Sequence, residues 1–251
     1  MTERRTVKHF TVSPAPDAAV FRDLLLRNRW LRDLPRDSLD DMAALARLLR
    51  LDDGQLLHAK DDPADGLYGV VSGTIKVSST GLDGREAVLT VLSPGSWFGE
   101  ISLFDGLPRT HDAHANGLTE LIMIPRRGFQ DLLDRRPELY PHFMQLLCRR
   151  IRLSFAMLED SALLPLSSRL AKRLLMHAHN YEQTDQGTNQ ATIQLSQESL
   201  GLMLNSSRQS INKLLKRLEQ AGWLRIHYGQ IVILDEAALA SLARGEVASE
   251  I

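Results

Sequence analysis

Residues 196–222 read SQESLGLMLNSSRQSINKLLKRLEQAG, and no other stretch of the chain says as much about its architecture. Ser196 is an N-cap candidate, and Glu198 and Ser199 fall in the first turn, where negative charge and small polar groups are favoured. Leu200, Met203 and Leu204 make a short apolar stripe, and Asn205-Ser206 signals a turn. Ser207 can cap a second helix that turns Ile211, Leu214, Leu215 and Leu218 inward, and Gly222 is placed to end it. Gly201 leaves space where the two helices should cross closely. Two short helices joined by a tight polar turn are the pattern of a helix-turn-helix.

The outward positions separate nucleic-acid binding from plain packing. From Arg208 to Arg225 there are five basic residues (Arg208, Lys213, Lys216, Arg217, Arg225) against Glu219 alone, a local charge of +4. The first residues of a recognition helix reach base edges in the major groove, and here Ser207, Arg208 and Gln209 stand there. Arginine suits a guanine edge and glutamine an adenine edge, while Lys213 is placed for a phosphate or a guanine. A solvated basic helix serving protein contacts is the alternative. The chain total, 30 Lys+Arg against 31 Asp+Glu and a net charge of −1, argues against nucleic-acid binding when read alone. Read locally it only confines the basic surface to one helix and its flank.

Downstream, 224–226 and 231–234 flank Tyr228-Gly229 and complete a winged helix. Upstream come a strand-like 191–195, a polar stretch at 183–190 and a helix at 166–181, with Pro165 as the hinge. Pro137 opens a long helical stretch to about residue 161. Its Tyr140, Met144, Leu147, Ile151, Ser154 and Leu158 step 4, 3, 4, 3, 4, the heptad spacing of a seam between helices. A second set, Phe143, Leu146, Leu153 and Met157, can face the domain before it. Two usable faces point to a homodimer; a single broad face buried within one chain is the other reading.

Between about 50 and 126 the apolar period changes to two. Short strands at 67–71, 74–78, 87–92 and 118–124 alternate with turns at Asp53-Gly54, Ser72-Gly73, Asp83-Gly84, Pro94-Gly95 and Asn116-Gly117. Turns this tight leave little room for crossover helices, so an antiparallel sandwich or roll is expected. Before it, Phe21, Leu24, Leu25, Leu39, Met42, Leu45, Leu48 and Leu49 recur at helical steps, and Pro35 divides them into two helices. The fold class is α+β, in four parts: a loose segment 1–17, an antiparallel sandwich or roll with flanking helices 18–136, a dimerisation helix and hinge 137–164, and a DNA-binding domain 165–251.

With 251 residues, 43% hydrophobic and 24% charged, the composition is that of an ordinary globular protein. No apolar run approaches the roughly 18–20 residues that span a bilayer, so no membrane partner is expected. The opening residues lack the apolar core of a secretory signal, and a reducing, cytoplasmic setting is expected. One cysteine, Cys148, excludes a disulfide framework, a four-cysteine zinc site and a cysteine-held iron–sulfur cluster within one chain. On the long helix it reads as a buried, inert thiol rather than a redox sensor. No nucleophile–base pair, metal-ligand cluster or P-loop suggests an enzyme or a metal site.

The residues 62–68 (DPADGLY), 71–77 (VSGTIKV), 94–100 (PGSWFGE) and 207–211 (SRQSI) resemble the bacterial cyclic AMP receptor protein / fumarate-nitrate-reduction regulator family over about residues 21–235. The resemblance implies an N-terminal β-roll of the cyclic-nucleotide-binding kind, a long dimer helix and a C-terminal winged helix-turn-helix. It implies a homodimer on double-stranded DNA at a palindromic promoter site, RNA polymerase as a partner, and a small-ligand switch in the roll.

Relatives that bind cyclic AMP carry Phe-Gly-Glu followed by Arg-Ser/Thr, and residues 98–110 here read FGEISLFDGLPRT. By that resemblance Gly99, Glu100, Arg109 and Thr110 bind the effector. A cyclic phosphate wants the guanidinium fork of Arg109 and backbone N–H groups such as Gly99 permits. Glu100 can accept from a ribose hydroxyl, and Thr110 can donate to a phosphate oxygen. The family also touches the purine from the dimer helix with a hydroxyl pair: Ser154 matches one member, but Phe155 replaces the other. Cyclic AMP or another cyclic nucleotide, a different effector and no effector all stay open. The iron–sulfur branch needs an N-terminal cysteine cluster, which residues 1–30 lack. Haem or another nucleotide stays open as the different effector, with eight histidines as axial candidates, although His111 and His114, three apart, point to opposite faces of a strand, and His177 and His179 do not share a helix face. Relatives of the cyclic AMP type carry Glu where Gln209 stands and Arg where Lys213 stands, so a half-site with a changed base preference beside the Arg208 guanine is expected.

Overall fold

The computed structural model describes residues 11–13, 21, 34–180, 192–193, 195–227 and 230–246. The first expected helix (save Phe21), the polar stretch 183–190 and the Tyr228-Gly229 turn lie outside the described residues. The chain divides into two compact units, one running to Ser79 with Leu89–Arg150, the other comprising Thr80–Val88 and everything from Ile151.

In the first unit Pro35 precedes helix α1 (Arg36–Leu45), which buries Leu39 and Met42. The helical pattern does not continue to Leu49 as expected. Arg47–Leu51 is strand β2, because Leu49 and Leu51 alternate inward at period two. Nor is the lead-in wholly loose: Thr11–Ser13 forms β1 and pairs antiparallel with residues 48–50. Strands β3 (Leu56–His58), β4 (Gly66–Thr80), β5 (Glu86–Leu92), β6 (Trp97–Phe98) and β7 (Asp112–Pro125) complete a seven-stranded sheet of order β1-β2-β7-β4-β5. Off that path, β3 pairs β7 and β6 pairs β4, both antiparallel.

Two expected turns prove to be irregularities inside long strands. Ser72-Gly73 lies within β4 and Asn116-Gly117 within β7. The β4–β7 register shifts between Val70 and Thr74, and Gly73 and Gly117 both have positive φ (70° and 78°). A Cβ on Gly73 would lie 2.4 Å from the Leu118 carbonyl oxygen, so only glycine lets the strands bend together there. Alternation along the strands feeds two apolar layers: Leu67, Trp97 and Ile122 join Phe129 and Phe143, whereas Tyr68, Phe98 and Leu121 join Leu49 and Leu57. Fully burying each such side chain stabilises by roughly 1.5–3 kcal/mol.

A one-turn helix α2 (Ile101–Phe104) follows β6, and α3 (Arg126–Arg135) packs Phe129, Leu132 and Leu133 inward. After a 3₁₀ turn at Pro137–Leu139 comes the long helix α4 (Tyr140–Leu163). Its inward face ends early. Phe143 and Leu146 are buried as expected, but Leu153 is exposed. Cys148 is exposed, not buried, because two residues beyond Leu146 the helix has turned about 200° to the opposite side.

In the second unit α5 (Leu166–Asn180) buries Leu170, Ala171 and Leu174. Strand β8 (Thr192–Ile193) falls within the expected 191–195, of which residues 191 and 194 lie outside the described residues. Helices α6 (Gln197–Met203) and α7 (Arg208–Gln220) precede β9 (Leu224–His227) and β10 (Gln230–Ile233), in a small sheet of order β8-β10-β9. A last helix, α8 (Glu236–Ala243), was not anticipated. The Asp235 side chain caps it, accepting from Ala238 N–H at 2.9 Å, and Leu239, Leu242 and Ala243 are buried.

Candidate nucleic-acid interface and roll cassette

The two short helices are capped as their sequences require. Ser196 Oγ accepts from the Ser199 N–H at 3.0 Å, and Ser207 Oγ accepts from the Ser210 N–H at 3.1 Å. Between them Asn205 takes φ +48°, which closes the turn. A Cβ on Gly201 would stand 2.9 Å from the Ser206 carbonyl oxygen, so the close crossing tolerates only glycine. Asn212 Nδ2 donates to Gln197 Oε1 at 2.8 Å, which fixes α7 against α6. Arg169 on α5 donates to the Leu204 carbonyl at 3.3 Å, a cation set against the C-terminal end of α6.

This packing turns Ile211, Leu215 and Leu218 inward and leaves Ser207, Arg208, Gln209, Lys213 and Lys216 exposed. Gln209, Lys213 and Lys216 follow at steps of four and three, one stripe of the helix. The one acid of that segment, Glu219, points elsewhere: its Oε1 accepts from the Ile226 N–H at 2.7 Å and ties α7 to the β9–β10 wing. The exposed stripe is therefore basic and polar throughout, the surface that phosphates and base edges require.

In the first unit, Gly99, Glu100 and Arg109 come together. Arg109 is 2% exposed; Nη1 donates to the Gly99 carbonyl at 2.9 Å, and Nη2 donates to Asp65 Oδ1 and the Gly66 carbonyl, both at 2.7 Å. The guanidinium lies over the Tyr68 ring, 5.4 Å from its centroid. Gly99 has φ +93°, and a Cβ there would stand 2.7 Å from Arg109 Nη1. Glu100 is fully buried, and Arg150 on α4 donates to its Oε1 and to the Trp97 carbonyl. In this cassette the buried Arg109 Nε, Glu100 Oε2 and Trp97 Nε1 have no hydrogen-bond partner among the described residues. Burial, with the Asp65 charge beside it, pushes the Tyr68 phenol well above its ordinary range.

The remaining expected residues sit differently. Thr110 is exposed, and its hydroxyl is 2.8 Å from His111 Nδ1. Ser154 is exposed on α4 and belongs to the second unit. Of the expected seam, Tyr140, Met144, Ile151, Ser154 and Leu158 are exposed and Leu147 is half-buried. Sequence reasoning missed Asp65 and Arg150, whose partners lie 44 and 50 positions away. No local spacing marks such pairs. Among the described residues no group of three or more His, Cys, Asp or Glu could hold a metal ion, and no helix is long and apolar enough to cross a membrane.

Comparison with known proteins agrees with this geometry. Residues 48–136 match the cyclic nucleotide-binding domain, and residues 168–242 match the Crp-like helix-turn-helix domain. The CRP-like cAMP-activated global transcriptional regulator of Mycobacterium tuberculosis is 32% identical over 206 residues, 81% of this chain and 92% of the relative. The cAMP-activated global transcriptional regulator CRP of Haemophilus influenzae is 29% identical over 179 residues, 71% of this chain and 79% of its own. Among solved structures, FixK2 from Bradyrhizobium japonicum superimposes with a TM-score of 0.71 at 20% identity, covering 78% of this chain and 96% of that one.

Proposed function

Because the chain belongs to the Crp/Fnr family of transcription regulators, which are not enzymes, we propose that it acts as a homodimer on a palindromic DNA site and is switched by a cyclic nucleotide in the roll. The observation that carries the DNA reading is the capped helix α7 with Arg208, Gln209 and Lys213 exposed on it. Arg208 addresses a guanine, Gln209 sets the preference beside it, and Lys213 takes a phosphate or a second guanine. The exposed seam on α4 supplies the pairing surface for a second copy. RNA polymerase is the partner through which such a dimer acts on a promoter.

The nucleotide reading rests on the unpartnered atoms of the cassette. A buried polar atom without a partner costs about 1–3 kcal/mol, and a cyclic nucleotide has the complementary groups. Its phosphate offers acceptors to Arg109 Nε and the Thr110 hydroxyl; its ribose hydroxyl can donate to Glu100 Oε2. The two relatives described as cAMP-activated favour cyclic AMP within this class. Ligand binding would then shift the dimer between two geometries of its paired recognition helices.

One observation favours a second reading. Both Nη atoms of Arg109 are already engaged by Asp65, Gly66 and Gly99, so the cassette also works as a lock that needs no ligand. Calorimetric titration with cyclic AMP and cyclic GMP separates the two. Heat with saturation supports the nucleotide switch, whereas no heat at millimolar ligand leaves another effector or none. The DNA reading has its own check: retention on the specific site should fall steeply between low and moderate salt, because phosphate contacts release counterions. Salt-insensitive or absent retention would favour a regulatory module acting on a partner protein.

A further inference from the structure

The groups around Thr110 have a second property that bears on ligand recognition. Thr110 follows the buried Arg109 in the chain, and two backbone bonds clamp this position: Asp61 N–H donates to the Arg109 carbonyl and Arg109 N–H to the Asp62 carbonyl, both at 2.8 Å. The next residue, His111, is half-buried and holds Nδ1 2.8 Å from Thr110 Oγ1. A threonine hydroxyl has one proton to give. If Nδ1 is an acceptor, that proton goes to the imidazole and the hydroxyl offers only lone pairs to an incoming anion. If Nδ1 carries hydrogen, the imidazole donates to Oγ1 and the Thr110 proton is free for the anion.

We infer that His111 is a positioning residue for the effector phosphate: it acts through the Thr110 hydroxyl and makes anion binding tighter when its ring is protonated. A neutral ring divides between two tautomers, only one of which releases the Thr110 proton. The imidazolium carries hydrogen on Nδ1 in every molecule, and it adds a positive charge next to the phosphate. The charged groups that bear on the ring are Lys60, in the connection between β3 and β4, and Asp112, at the head of β7. Asp112 is itself held, since its Oδ1 accepts from the Lys60 N–H at 2.7 Å. Burial first and the Lys60 charge second keep His111 below its ordinary range, while Asp112 opposes them. The free protein at neutral pH therefore holds the ring neutral, and a bound anion favours its protonation.

This inference rests on the proposal that the cassette binds a cyclic nucleotide, so its test must separate the two. Cyclic AMP is titrated calorimetrically into the full-length protein at about pH 5.5 and about pH 8, a range over which neither its phosphodiester nor its adenine changes charge. The expected result is roughly three- to tenfold tighter binding at the lower pH, with proton uptake seen as a dependence of the heat on buffer ionisation. His111→Gln, which keeps a hydrogen-bonding side chain, should flatten the profile and abolish the uptake. Binding that is equally tight at both pH values, or a slope that survives in His111→Gln, overturns the role of His111 and leaves the nucleotide site standing. Absence of binding at either pH overturns the nucleotide site and this inference with it. Should that variant not fold, His111→Asn is read in the same way.

Discussion

At the scale of single residues, two positions show how burial sets chemistry. Gly99 holds φ +93° and stands so close to Arg109 that a Cβ would meet Nη1 at 2.7 Å and the Gly66 carbonyl at 3.1 Å. Gly99→Ala must therefore strain the backbone and displace the guanidinium together. The expected cost is about 1–3 kcal/mol in a denaturant titration, with loss of any nucleotide heat in calorimetry. Arg109→Lys keeps the charge but not the fork; it should lose the nucleotide heat without the backbone strain. His177 on α5 is the second position. Burial, then the Arg173 charge, lowers its pKa from 6.5 to about 4, so the folded chain keeps the ring neutral where the unfolded chain would bind a proton. The stability this represents is present above about pH 6.5 and is lost as pH falls toward about pH 4, a swing of roughly 3 kcal/mol. The unfolding midpoint of the protein should fall relative to that of His177→Leu across that window as the acid is approached. A constant gap between them would mean that His177 does not titrate in this way.

At the scale of elements, capping and reading can be separated on one helix. Ser207→Ala removes the bond to the Ser210 N–H and should cost about 1 kcal/mol of stability. Arg208→Ala should leave stability nearly unchanged and cost about 1–3 kcal/mol on the specific DNA site. Selection from random DNA should return a half-site changed next to the Arg208 guanine; recovery of the usual cyclic-AMP-type half-site would show that Gln209 does not read its neighbour. These elements were legible because their signals are local: Ser207, Gly201 and the Ile211–Leu215–Leu218 spacing all lie within a few residues of what they control. The roll was legible in kind but not in detail. Gly73 and Gly117 carry the composition of turns, and only the β4–β7 register reveals that the strands pass through them. Leu48 and Leu49 fit a helical period as well as a strand, and pairing with β1 and β7 decided the matter. In the cassette Gly99, Glu100 and Arg109 could be named from the motif. Asp65 and Arg150 could not, because a bond across 44 or 50 residues leaves no periodic trace.

At the scale of the whole molecule, a net charge of −1 and a local +4 between Arg208 and Arg225 must be reconciled. A chain without excess positive charge gains little from non-specific attraction, so one recognition helix with a few phosphate contacts binds weakly and most weakly at high salt. Tethering two such helices makes the second contact intramolecular, and the effective concentration it gains can raise affinity by roughly 10²- to 10⁴-fold. The seam on α4 is where that gain would be lost. Ile151 is 55% exposed in the single chain, so Ile151→Glu removes no contact inside one copy and should leave its unfolding midpoint within about 0.5 kcal/mol of the parent. In the proposed dimer it places like charges against each other, and sedimentation should show a monomer where the parent is expected to be a dimer. Affinity for a full palindromic site should then fall by roughly 10²-fold or more, while affinity for an isolated half-site stays near that of the parent. A variant that still sediments as a dimer would move the interface away from this seam. A monomer that keeps full affinity for the palindrome would show instead that a single α7 suffices for binding.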